Sequence, residues 1–172
     1  MNEIANFFQT AIRLATPTLI AGLGLVFSER AGIVNIGTEG LMLIGALTGV
    51  MGSLYTGNVW LGTLIAIAVT VLFAAVFAFF TVVVKADQTV IGTGLNLLAS
   101  GLTITVNRAI FGANTSPPKI DTFRTTPIPL LSRIPLFGEM LFRHQIPIYI
   151  AFLLVPIAQF MMFRSNTGLI VR

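Results

Sequence analysis

The stretch Ser28-Glu29-Arg30-Ala31-Gly32-Ile33-Val34-Asn35-Ile36-Gly37-Thr38-Glu39-Gly40 decides the fold. Long apolar runs flank it on both sides. The run that follows, Leu41 to Leu54, is too short to cross a bilayer as a helix, because a span needs about 20 residues and roughly 17 at the least. The second span must therefore reach back through Gly40, Glu39, Gly37 and Asn35. That places glycines, an amide and a carboxylate at or near membrane depth. Irregular backbone is tolerated there only where protein buries it or where it lines a cavity. The pattern predicts a helix broken between about Gly32 and Gly40, with Gly32, Gly37 and Gly40 at the break, and it suggests a pathway for a solute.

Composition sets the class. The chain has 172 residues, of which 55% are hydrophobic and 9% charged, and its mean hydropathy is +0.92. No charge occurs from Gly40 to Val84. These numbers predict an all-α, polytopic bundle of transmembrane helices. A membrane β-barrel would show short alternating segments instead. The net charge of +4 comes from ten basic residues scattered between apolar runs, so no nucleic-acid partner is expected. Cysteine is absent and there is one histidine, His144. Thiol chemistry and a metal site are therefore not expected. No signal peptide is read at the N-terminus, since Glu3 and Arg13 fall where a signal would be basic and apolar respectively.

About five spans are predicted: 7–27, the broken 32–54, 60–84, 89–110 and 146–163. Residues 112–145 hold five prolines and read as a loop too polar and too interrupted to span. Counting turns puts the Glu29/Arg30 region, the Lys85 turn and Arg164 on one side. The N-terminus, the Tyr55 turn and the 112–145 loop fall on the other. Basic residues close to short connections favour the first side as cytoplasmic, and Tyr55, Trp60 and Tyr149 gather at the opposite interface. The loop is then extracellular.

Several residue sets are candidates for function, each with a plainer reading beside it. Asn35 and Glu39 are four apart and would share a helical face. They either line or gate a translocation path or cap two half-helices. Asn96, Ser100 and Thr103 follow i, i+4, i+7 on the fourth span, for contact with a polar solute or for interhelical hydrogen bonds. Gly92 and Gly94 would permit a local distortion of that span. Gly45, Gly49 and Gly52 form a stripe that lets backbones approach, within this chain or across a dimer. Glu29 and Arg30 read as interfacial anchors, with an Arg30–Glu39 pair as the alternative. The phosphate-binding loop needs Gly-Lys-Ser/Thr. Lys85 follows Val84 and Lys119 follows Pro118, so the chain is not expected to be an enzyme or to hold a nucleotide cofactor.

The segment from Leu14 to Ala46, LATPTLIAGLGLVFSERAGIVNIGTEGLMLIGA, closely resembles the permease subunits of bacterial ABC importers for simple sugars and nucleosides. That group also includes ribose and branched-chain amino-acid permeases. DQTVIGTGLNLLASGLT, from Asp87 to Thr103, is a second match, and FRSNTGLIVR, from Phe163 to Arg172, is similar to the lead into the cytoplasmic coupling segment. The resemblance implies a multi-pass plasma-membrane permease that moves a small-molecule solute. Its implied partners are an ABC ATPase subunit, a second permease subunit, identical or homologous, and an extracellular solute-binding lipoprotein. It also implies that residues 1–172 are one transmembrane permease domain, the N-terminal part of a longer or truncated permease. An ion-coupled secondary transporter or channel is the alternative, since broken helices occur there too.

Overall fold

The computed structural model describes residues 2–112, 121–127, 143–165 and 168. Among these residues five long α-helices stand out: α1 (Asn2–Arg30), α2 (Thr38–Thr56), α3 (Val59–Ala78), α4 (Gln88–Phe111) and α5 (Ile146–Arg164). A π-helical turn, Phe79–Val83, continues α3. Two short strands, β1 (Thr125–Pro127) and β2 (Arg143–Gln145), pair antiparallel, with Thr126 opposite His144. The chain divides into two compact units. One holds α1, the strands and α5. The other holds residues 32–37, α2, α3 and α4.

Local chemistry explains where the helices begin and end. Asn58 caps α3, its side chain accepting from the Trp60 N–H at 2.9 Å. Asp87 caps α4 by accepting from the N–H groups of Thr89 at 2.8 Å and Val90 at 3.1 Å, the ordinary task of a short acidic cap. Gly57, at φ +63°, ends α2 in the left-handed conformation. Pro147 stands in the first turn of α5, where a missing N–H costs nothing.

Among the described residues, four helices are long and apolar enough to cross a membrane: α1 from Glu3, α3 with its π-turn, α4 and α5. Helix α2, the expected second span, is not among them. Its 19 residues rise about 28 Å, close to the hydrocarbon thickness, but its stretch of apolar side chains is interrupted by glycines and threonines and opens on Glu39. Packing resolves the difference. Gly40, Leu41, Ile44, Leu47, Gly52 and Ser53 of α2 are buried against α3 and α4. A helix walled by protein needs less apolar surface than one walled by lipid. Helix α3 shows the opposite case: Leu64, Ile67, Val71, Leu72 and Val76 are all exposed.

The α2–α3 contact is built from small residues. A Cβ on Gly52 would lie 3.0 Å from the Gly62 Cα, one on Gly45 3.0 Å from the Thr70 hydroxyl, and one on Gly49 3.4 Å from the Ala66 Cβ. The Gly45/Gly49/Gly52 stripe thus lies against Gly62, Ala66 and Thr70 of the same chain. Lipid tails are as apolar as leucine, so close van der Waals packing of this kind holds membrane helices together. Leu41, Phe77 and Leu95 form the adjoining apolar cluster, with Ile33 packed on it.

Candidate functional site

Residues 31–37 are not helical. Helix α1 closes with the Ala31 N–H donating to the Phe27 carbonyl at 3.2 Å, and Gly32 follows at φ +79°, a left-handed conformation that glycine adopts without steric penalty. Gly37 then stands at the N-cap of α2 with no side chain to cap it. The expected break is therefore a connection before α2, flanked by Gly32 and Gly37. Gly40, expected at the break, lies instead within the first turn of α2. It is small because α4 approaches there, and a Cβ would meet the Asn96 Cα at 3.0 Å.

The missing cap comes from α4. Asn96 Oδ1 accepts from the Gly40 N–H at 2.7 Å, and Nδ2 donates to the Ile36 carbonyl at 3.0 Å. Gly40 is the third residue of α2, whose N–H an N-cap side chain would ordinarily satisfy. Two turns earlier on α4, Gln88 Oε1 accepts from the Val34 N–H at 2.7 Å and Nε2 donates to the Gly32 carbonyl at 3.4 Å. Between the two amides, a Cβ on Gly92 would fall 2.9 Å from the Gly37 nitrogen. Gly92 is thus a point of close approach on a continuous helix and not a distortion. Gly94 faces open space.

The other candidates separate. Asn35 Oδ1 is buried with no hydrogen-bond partner among the described residues, while the Asn35 carbonyl accepts from the Thr38 hydroxyl at 2.9 Å. Glu39 is exposed in the first turn of α2, where a negative charge complements the helix dipole. Ser100 is half-buried. Thr103 Oγ1 is buried and unpartnered among the described residues. The i, i+4, i+7 face of α4 is therefore divided: Asn96 joins Ile36 and Gly40, and Thr103 makes no such bond among the described residues. Arg30 stacks its guanidinium 4.7 Å from the centre of the Phe163 ring, a cation–π contact between α1 and α5. His144, expected in a loop, is a buried residue of β2, and its N–H donates to the Tyr149 hydroxyl at 3.0 Å. Most of the anticipated coupling lead, 166–167 and 169–172, lies outside the described residues, as do 113–120 and 128–142 of the expected loop.

Gln88 was not among the candidates drawn from the sequence. The signal that identifies it is spacing: Gln88, Gly92 and Asn96 stand at i, i+4 and i+8, one helical face with an amide at each end and a glycine between.

This interrupted entry to α2 lies within a match to a known family. The family described as branched-chain amino acid transport system / permease component matches residues 7–172. The chain belongs to this permease family. Among curated relatives of this permease, TsgC13 of Haloferax volcanii, named as a candidate glucose ABC transporter permease protein, is 40% identical over 98% of this chain and 51% of its own length. The guanosine ABC transporter permease protein NupQ of Bacillus subtilis is 38% identical over 92% of this chain and 52% of its own. The nucleoside ABC transporter permease protein NupC of Lactococcus lactis is 34% identical over 100% and 56%. The permease chain spans about half the length of these relatives. No solved structure matches it. Membership and the apolar helices make it a multi-pass plasma-membrane protein.

Proposed function

We propose that this chain forms part of the permease of an ATP-binding-cassette importer for nucleosides or simple sugars. The observation that carries the reading is its identity of 34–40% to three permeases named for glucose, guanosine and nucleosides. Supporting it is a non-helical segment in which Gln88 and Asn96 of α4 bond the main chain at Gly32, Val34, Ile36 and Gly40, while the Asn35 side-chain oxygen has no partner among the described residues and Glu39 is exposed. Such groups on a membrane helix entry suit the lining or gate of a polar solute's path. ATP hydrolysis belongs to a separate subunit, since neither lysine stands in a phosphate-binding loop. A second permease subunit and an extracellular solute-binding lipoprotein complete the assembly.

Affinity purification from the native membrane, followed by uptake of labelled guanosine and glucose, tests this. Co-isolation of an ABC ATPase, with uptake abolished by ATP depletion and insensitive to collapse of ion gradients, is expected. Uptake that follows an ion gradient, with no ATPase recovered, would replace the reading with an ion-coupled transporter.

A further inference from the structure

We propose that Gln88 and Asn96 are positioning residues, two amides on one face of α4 that hold the main chain of residues 32–40 in register, and that this latch releases from its Gln88 end. The inference rests on the reading that this segment serves a solute path. A carboxamide carries an acceptor and donors in one plane, as a peptide group does. Each of these two therefore engages one N–H and one C=O of the segment. Gln88 takes Val34 and Gly32, and Asn96 takes Gly40 and Ile36. Helix α4 thereby supplies the pairing that a sheet partner would give extended backbone. That pairing matters in a bilayer, where an unsatisfied main-chain group finds no water. Eight residues of α4 rise about 12 Å, so the latch reaches that far along the helix, from Gln88 near its start.

The two ends differ. The Asn96 bonds measure 2.7 and 3.0 Å and sit among the buried glycines Gly37, Gly40 and Gly92. Both Gln88 bonds are exposed, and one stretches to 3.4 Å, beyond the usual N–H···O range; at the Asn96 end the bond to Ile36 is exposed too, but at normal length, and the bond to Gly40 is half-buried. Gly32, at φ +79°, supplies a swivel beside them. The segment should therefore open first at residues 32–34, pivoting where Gly37 meets Gly92.

Amide hydrogen exchange on the full protein in lipid nanodiscs, read by mass spectrometry over 31–43, tests the latch without reference to transport. Gln88→Leu should speed exchange at Val34 about tenfold, the worth of roughly one hydrogen bond, and leave Gly40 as in the unsubstituted protein. Asn96→Leu should speed both. Asn96→Asp keeps the acceptor for the Gly40 N–H and should preserve its protection, which also covers the case in which the leucine variant fails to insert. Unaltered exchange in Gln88→Leu, or loss of Gly40 protection in that variant, would overturn the proposal. In cells, Gln88→Leu should lower uptake about tenfold at equal membrane level, and Gln88→Asn, too short to reach both groups, should not rescue it. Faster exchange with unchanged uptake would overturn the positioning role. Absence of uptake by the unsubstituted protein would count against the importer reading, and exchange would still decide the latch.

Discussion

Among the described residues Asn35 keeps an acceptor buried without a donor, a condition that costs about 1–3 kcal/mol in a protein interior. A residue serving only as a cap would direct that oxygen to an N–H, and this one does not. Asn35→Ala is therefore expected to lower solute uptake severalfold while leaving thermal stability in detergent unchanged or raised by up to about 1 kcal/mol. Equal uptake at equal membrane level would return Asn35 to a structural part. Glu39→Gln removes an exposed charge from the first turn of α2 and should cost no more than about 1 kcal/mol through the helix dipole, again with reduced uptake. A different residue carries backbone strain. Lys85 is the only described non-glycine residue at positive φ, +57°, in the turn where the Ala86 N–H donates to the Phe80 carbonyl at 3.0 Å. Left-handed backbone disfavours a lysine by about 1 kcal/mol relative to glycine. Lys85→Gly should thus raise the melting temperature of the purified protein, at the loss of a basic residue beside a short connection, where positive charge orients membrane proteins.

Among the elements, α2 is the hub of its unit, packed on α3 by glycines and on α4 by Gly40 and Asn96. The glycines are not equivalent. A Cβ on Gly62 would lie 2.6 Å from the Ser53 nitrogen and 2.9 Å from the Gly49 oxygen. Both neighbours are backbone, so two helices must separate to admit even a methyl group. Gly94, on the neighbouring α4, meets nothing within 4 Å. Gly62→Ala should destabilise by about 3 kcal/mol or deplete the protein from the membrane, while Gly94→Ala should be neutral or stabilise by up to about 1 kcal/mol through helix propensity. Comparing melting and membrane abundance of the two variants checks the pair. Similar behaviour would mean that α2 and α3 are not packed backbone to backbone at Gly62.

At the scale of the whole molecule, turn counting sets the 112–145 loop and the Lys85 turn on opposite sides, and basic residues near short connections predict the loop outside and the Lys85 turn inside. Thr122 and Lys85 are both exposed. A cysteine at Thr122 should react with an impermeant thiol reagent in intact cells, and one at Lys85 only after permeabilisation; the reverse pattern would invert the topology. Much of this protein was legible without coordinates. Uncharged apolar runs dictate membrane helices, because lipid accepts no unsatisfied backbone. The short run 41–54, preceded by Gly-rich polar sequence, dictated an interruption before α2. Those are one-dimensional properties, and local chemistry decides them. The partners of the interruption were not legible. Asn96 looked like one of several polar groups on a helix face and Gln88 like part of a turn, because nothing local links them to residues 54 to 60 positions away. Only packing brought α4 beside the segment, with Gly92 thinning the contact enough for both amides to reach main chain. The same packing buried one face of α2 against α3 and α4 and so allowed glycines, Ser53 and a first-turn carboxylate in that helix. Lipid or protein as neighbour is a property of the assembled bundle, and the sequence of one helix does not contain it.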